Sequence, residues 1–235
     1  MNTNRQTATT AASFRKIALA AGVLYLLTFV SIPTPFALYA QVRDANYVIG
    51  SGPDTTIIIG GLLEIIVAIA GIGTAVVLFP VLKKQNESLA LGLVASRILE
   101  ASTMFVGVAF ILSIVTLRQT GAGADALGTS HALVALYDRI FLLGQSFMPA
   151  INDLLLGFLL YKSRLVPRGL ALIGIVGGPV LLVGYLAAML GLIGQHAPLA
   201  GLSAALVALF EFSLGIWLVV KGFNRSAVAA LESQK

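Results

Sequence analysis

No cysteine occurs in the 235 residues, so the chain forms no disulfide, offers no thiolate nucleophile and cannot hold a cysteine-ligated zinc or iron–sulfur centre. Histidine is almost as scarce. His131 and His196 both fall between apolar runs, which leaves no pair for an intramembrane metal or a catalytic dyad. Charge is thin as well: Asp, Glu, Lys and Arg make up 11% of the residues, against roughly 25% in soluble domains. Neither a P-loop nor a dinucleotide glycine fingerprint appears, and no cofactor or metal is expected. A net charge of +5 and an isoelectric point of 9.7 would suit nucleic acid. The basic residues, however, lie in short clusters beside apolar runs, and membrane topology accounts for them better than phosphate binding does.

What the chain has in quantity is apolar surface. Hydrophobic residues make up 58% and the mean hydropathy is +0.95, with 24 glycines of the kind that let helices pack closely in lipid. Six apolar stretches stand out, at residues 14–39, 56–82, 89–117, 133–161, 170–193 and 200–220. Each meets the roughly 20 residues a helix needs to cross a bilayer. Turn chemistry separates them: Gly50-Ser51-Gly52-Pro53, Lys83-Lys84-Gln85-Asn86, Gly121-Ala122-Gly123 and Val166-Pro167-Arg168-Gly169. The fold class expected is therefore all-α, a polytopic transmembrane bundle of six helices. Residues 1–13 and 221–235 read as tails around a membrane domain of residues 14–220, with Met1–Thr10 and Ser226–Lys235 polar, short and frayed. Arg15 and Lys16 precede the first apolar core as in a signal peptide, but that core runs well past the usual 7–15 residues and reads as an uncleaved helix.

Orientation follows from Lys and Arg. Eleven of them sit in the two tails and the second and fourth loops, whereas the alternate loops hold only Arg43 and Arg118. The positive-inside rule then puts both termini in the cytoplasm.

Charge inside the apolar runs points to a site, because an ionisable group in hydrocarbon is costly and functional by default. Arg97 and Glu100 lie one helical turn apart in the third span, Asp153 in the fourth and Glu211 in the sixth. At 1.5 Å per residue all four lie roughly 12–16 Å from the cytoplasmic ends, near the middle of a ~30 Å core. Glu64 falls at about 27 Å, toward the outer side where it can reach water, with Asp138 and Arg139 beyond it as an interfacial charged turn. The central layer has one base and three acids. The Arg97 fork suits a carboxylate, most simply Asp153 across helices or Glu100 on its own face. Two carboxyls then lack a counter-charge, and in low dielectric they should be protonated or should hold a cation or a hydrated cavity. Either the layer is a ligand, ion or proton site, or it is interhelical glue helped by Ser96, Ser102, Asn152 and Ser213.

Prolines and glycines punctuate the same region. Pro149, four residues before Asp153, and Pro179 are expected to kink their spans, and Pro33 and Pro35 to close the first. Gly174 and Gly178 form a small-xxx-small pair suited to close helix approach.

Three segments together resemble a known family: Ser96-Arg97-Ile98-Leu99-Glu100-Ala101, Leu159-Leu160-Tyr161, and the basic loop Ser163-Arg164-Leu165-Val166-Pro167-Arg168-Gly169-Leu170. The chain is similar to the uncharacterised bacterial integral membrane proteins of domain of unknown function 4386, from about Ile17 to Val220. That resemblance implies a small multi-helix protein of a bacterial cytoplasmic (inner) membrane. It carries no activity and transfers no catalytic residue.

Three functions fit these residues. One is permease-like handling of a small solute or ion, with a spare carboxyl exchanging protons beside Arg97. Another is a non-transporting membrane module, an assembly partner or sensor, whose polar layer sets helix register. The third is a lipid-modifying enzyme using carboxyls as acid and base, which lacks a recognisable nucleophile. The partners implied are the lipid bilayer and a small solute or proton, without nucleic acid.

Overall fold

The computed structural model describes residues 2–32, 34–44 and 46–233, of which 2–12, 35 and 36 are described by backbone alone. Among the described residues all regular structure is helical: α1 (Asn2–Leu27), α2 (Thr55–Leu82), α3 (Glu87–Gln119), α4 (Leu127–Phe141), α5 (Met148–Ser163), α6 (Arg168–Met189), α7 (Pro198–Ser203), α8 (Ala205–Val220) and α9 (Arg225–Glu232). Five segments are individually long and apolar enough to cross a membrane: Ser13–Ser31, Thr55–Leu82, Glu87–Gln119, Gly123–Ser163 and Arg168–Met189. The sixth candidate is α8, which reaches that length only together with α9 (Ala205–Val220 with Arg225–Glu232), the pair being bent by 86°. The short α7 leads into α8 through Ala204, whose backbone is right-handed helical (φ −82°, ψ −11°). The protein is thus an all-α, multi-pass integral membrane protein.

The spans pack as a ring in chain order. Each lies against the next, α3 meeting both α4 and α5, and α8 returns to α1 to close the circle. Glycine permits the tightest approaches. A Cβ at Gly22 of α1 would lie 2.7 Å from the Gly215 carbonyl of α8, so only hydrogen fits there. Gly174 and Gly178 serve two different neighbours: the first backs onto the Phe210 ring of α8, the second onto the Ala150 carbonyl and Leu154 of α5. Pro149 stands at the start of α5, just after a π-helical turn at Leu142–Ser146 that interrupts the fourth span. Pro179 lies inside α6, which continues through it.

Three sequence expectations are corrected. The 14–39 stretch is not one helix. Regular helix ends at Leu27, tightens to a 3-10 turn at Thr28–Ser31, and residues 34–44 and 46–50 form short turns. Those turns bury Tyr39, Val42 and Tyr47 against Ile57, Ile111, Ile114, Val115 and Tyr137, and so cover one end of the ring. Pro35 withholds a backbone N–H from this segment, which weakens a continuous ladder; Pro33 lies outside the described residues. The fifth span stops at Met189, where Gly191 takes a left-handed backbone (φ 74°). The tail after Ser226 is not frayed: α9 turns 86° away from α8 and buries Ala227, Val228 and Leu231 against the core.

Two apolar cores sit at opposite ends. The larger fills the terminus-bearing end with Phe14, Leu78, Leu82, Leu93, Leu156, Leu160, Leu214 and Leu218 among others. There the Arg15 guanidinium of the neighbouring α1 donates to the Leu218 carbonyl (2.8 Å) and the Val219 carbonyl, capping α8. Between the two cores lie the charged side chains.

Candidate functional site

The α-helical i, i+3 spacing puts Arg97 and Glu100 on one face of α3, turned into the ring. Arg97 Nη1 donates to Glu100 Oε2 at 3.0 Å, and Nη2 donates to Glu211 Oε1 on α8. Asn152 Nδ2 on α5 donates to the same Glu100 oxygen at 2.7 Å. The guanidinium also lies over the Tyr25 ring of α1, 5.7 Å from its centre. Four helices therefore converge on a single cation. Arg97 is 4% exposed, with Glu100 at 12% and Glu211 at 13%.

Of the two pairings expected for Arg97, the one with Glu100 on its own face forms and the one with Asp153 does not. Both terminal nitrogens of Arg97 are occupied by Glu100 and Glu211, so Asp153 is left over. It lies within electrostatic reach of all three, yet neither of its carboxyl oxygens has a hydrogen-bond partner and its side chain is fully buried. Other buried atoms on these helices share the condition: Ser96 Oγ, Arg97 Nε, Asn152 Oδ1 and Trp217 Nε1 have no hydrogen-bond partner either. An unmade buried hydrogen bond costs about 1–3 kcal/mol, so groups in this state call for an explanation beyond packing.

A cavity of about 260 Å³ reaches this layer. Arg97, Glu100 and Glu211 form its charged base. The walls come from all six spans, among them Phe29, Val67, Met104, Gln145, Leu181 and Val207. The residues lining it run from mid-depth toward the end away from the termini; the larger apolar core lies on the other side. The volume is below the roughly 300–1,000 Å³ of drug-sized sites, which limits an occupant to a small molecule.

Glu64 departs from expectation. It is fully buried rather than in reach of water, because the turns around Tyr39 fold over it. The Tyr137 hydroxyl donates to Glu64 Oε1 at 2.8 Å and the Tyr39 hydroxyl to Oε2 at 3.4 Å, the two rings meeting edge to face at 5.4 Å. No Lys, Arg or His among the described residues forms an ion pair with it.

Asp138 and Arg139 are likewise not a turn: both lie in the last turns of α4. Asp138 takes a two-pronged contact from Arg43 at 2.8 and 3.0 Å, with His196 Nε2 3.8 Å away, and Arg139 is exposed. The hydrogen bonds to Asp138 push the Arg43 guanidinium further up. A second clamp ties the same segment to α3. Arg118 Nη1 donates to Asp54 at 2.9 Å, Gln119 donates to its other oxygen at 3.0 Å, and Arg118 stacks on Tyr47 at 4.4 Å. Partial burial opposes ionisation of Asp54, but hydrogen bonds from Tyr47, Gln119 and Arg118 with the Arg118 charge hold its carboxyl below the usual range. Burial and the bond to Asp54 push the Tyr47 hydroxyl up to about 12.

Sequence reasoning missed Tyr25, Tyr137 and Gln145. Tyr25 carried a usable signal, a phenol deep in an apolar run rather than at an interface, where tyrosine ordinarily sits. Among the described residues no group of three acidic or histidine side chains converges as a metal site.

The chain matches the family described as Domain of unknown function (DUF4386) over residues 20–222, and it belongs to that family. No curated protein and no solved structure matches it.

Proposed function

We propose that this protein is a small carrier of a bacterial cytoplasmic membrane, with both termini cytoplasmic and residues 14–220 as its membrane domain. Its central cavity takes a small solute or ion against Arg97, and proton exchange at Glu211 or Asp153 accompanies binding. The observation that carries this reading is the cavity itself: it reaches a paired Arg97 from one side only, within a ring of six spans. A solute that engages Arg97 Nη2 displaces Glu211. The freed carboxylate would then stand in low dielectric without a counter-charge unless it takes a proton, which is the physical basis of coupling. Asp153, which has no hydrogen-bond partner and lies within electrostatic reach of Arg97, Glu100 and Glu211, supplies a second proton-accepting group.

The test is solute-driven proton movement in proteoliposomes loaded with a pH-sensitive dye, using a panel of small organic acids, amines and inorganic ions. Proton movement that disappears in Glu211→Gln and Asp153→Asn supports the carrier. Movement that survives both removes the proton role. The second reading, a non-transporting module, has its own observation: Arg97 is already paired twice, with Asn152 completing the network. A folded protein that moves nothing in the panel, and whose assembly with a partner fails on Glu211→Gln, favours the module. For orientation, the cysteine-free background allows single cysteines at Ala124 and Gln85. An impermeant thiol reagent should label position 124 and spare 85 in intact cells; the reverse pattern overturns the assigned sidedness.

A further inference from the structure

A second cavity, of about 400 Å³, lies at the terminus-bearing end, outside the ring interior. Lys162, Arg164 and Arg168 line it together with Gln85, Ser163 and Ser226, and no acidic residue does. Its walls are the α5–α6 turn, the α2–α3 turn and one side of α9. They are locked together: Asn224, just before α9, donates its side-chain amide to the Arg164 carbonyl at 2.7 Å and its backbone N–H to the Leu165 carbonyl at 2.9 Å. Two of the cations are braced on aromatic rings, Arg168 over Tyr161 at 5.0 Å and Lys162 over Phe158 at 5.6 Å.

Arg164 is the informative residue. It alone among the described non-glycine residues has a left-handed backbone (φ 59°, ψ 21°), at the C-cap of α5 where helices ordinarily use glycine. Topology alone explains basic residues at this end, but it does not explain an arginine held in the one conformation that disfavours it. That conformation sets the Arg164 side chain in the wall of the cleft. The cleft also lies at the end of the spans, beside a helix that turns 86° from α8 and presents its apolar side to the core, at the depth where a bilayer keeps its headgroups.

We propose that this cleft binds a phosphate-bearing anion, offered by an anionic phospholipid headgroup or as a free phosphate. Three cations without a carboxylate, with hydroxyl and amide donors between them, match the charge and the several acceptor oxygens of a phosphate. The site is independent of the Arg97 layer and of any transport reading.

The experiment is thermal unfolding of the full chain in neutral detergent, with added short-chain phosphatidylglycerol, phosphatidylcholine of equal chain length, or inorganic phosphate. Phosphatidylglycerol should raise the melting temperature and phosphatidylcholine should not. An equal rise with inorganic phosphate assigns the site to a free phosphate, and a rise with the lipid alone assigns it to the headgroup. Arg164→Gly should leave the ligand-free melting temperature unchanged or higher, because it relieves the backbone, yet diminish the shift; Lys162→Gln with Arg168→Gln should abolish it. Lys16→Gln with Lys221→Gln removes the same charge from the same end outside the cleft and should keep the shift. The proposal is overturned if no anion shifts the melting temperature, if the shift survives the cleft variants, or if the control pair loses it equally.

Discussion

Two buried carboxyl sites in this ring solve the same problem in opposite ways. Around Arg97, Glu100 and Glu211 are held by a full positive charge, stay about one-eighth exposed, and form the base of a cavity. Glu64 is held by two phenols and the Gln145 amide, has no counter-charge among the described residues, and is buried beneath the turns around Tyr39. A charged acceptor beside an open cavity can change partners when a ligand arrives. A carboxyl pinned by neutral donors in a closed site can do little more than fasten α2 to α4 and to the segment above. The same residue type is therefore built to suit binding in one place and anchoring in the other.

The largest effect should come from removing the one cation. Arg97→Ala leaves Glu100 and Glu211 buried without compensation, and breaking such a pair from one side costs about 3–5 kcal/mol. Denaturant unfolding in detergent should show a large loss of stability or no folded protein. Replacing the whole set by Arg97→Met, Glu100→Gln and Glu211→Gln should recover much of it, since no lone charge remains. Full stability of Arg97→Ala would refute the buried-pair account and with it the contrast to Glu64.

That contrast was only half legible in the sequence. Depth counting along the spans put Arg97, Glu100, Asp153 and Glu211 in one layer, because the helical rise converts residue number into height. Height says nothing of position around the ring. Arg97 meets Glu211 because α8 closes back toward α1, while Asp153 on α5 presents no oxygen to it, and that closure is a tertiary fact. Glu64 failed for a related reason. Its depth alone implied water, but residues 34–50 fold over the end instead of extending the first helix, and the tyrosines that satisfy it come from there and from α4. The long apolar runs and their loops were readable because hydrocarbon permits so few spanning structures.

Next in size is the anchoring site. Tyr137→Phe removes the 2.8 Å donor and leaves a carboxyl oxygen unsatisfied, at about 1–3 kcal/mol. Any solute-driven proton movement should persist, because Glu64 is not among the residues lining the central cavity. Loss of flux with intact stability in Tyr137→Phe would move Glu64 from anchor to participant.

Asp153→Asn should change stability by less than about 1 kcal/mol, since the native carboxyl makes no hydrogen bond to lose. Its effect should fall instead on the pH dependence of flux, measured in the same proteoliposomes. A large stability loss with unaltered pH dependence would place Asp153 among the structural residues and leave Glu211 as the only proton-exchanging group.

The smallest effect is expected at the Asp54–Arg118 clamp. The Asp54 carboxyl is held below its ordinary range, so the folded state favours the ionised form. Its contribution is complete above the unfolded value of about 4 and disappears as pH falls through the depressed folded value. Acidification below that point should release the 34–50 segment from Arg118 before the membrane helices unfold. Hydrogen exchange of residues 47–54 reads this directly: protection should fall on acidification in the parent chain, and should already be low and independent of pH in Asp54→Asn. If the parent keeps its protection through the acid range, the segment is held by the burial of Tyr39, Val42 and Tyr47 alone, and the covering of Glu64 owes nothing to the charges at its rim.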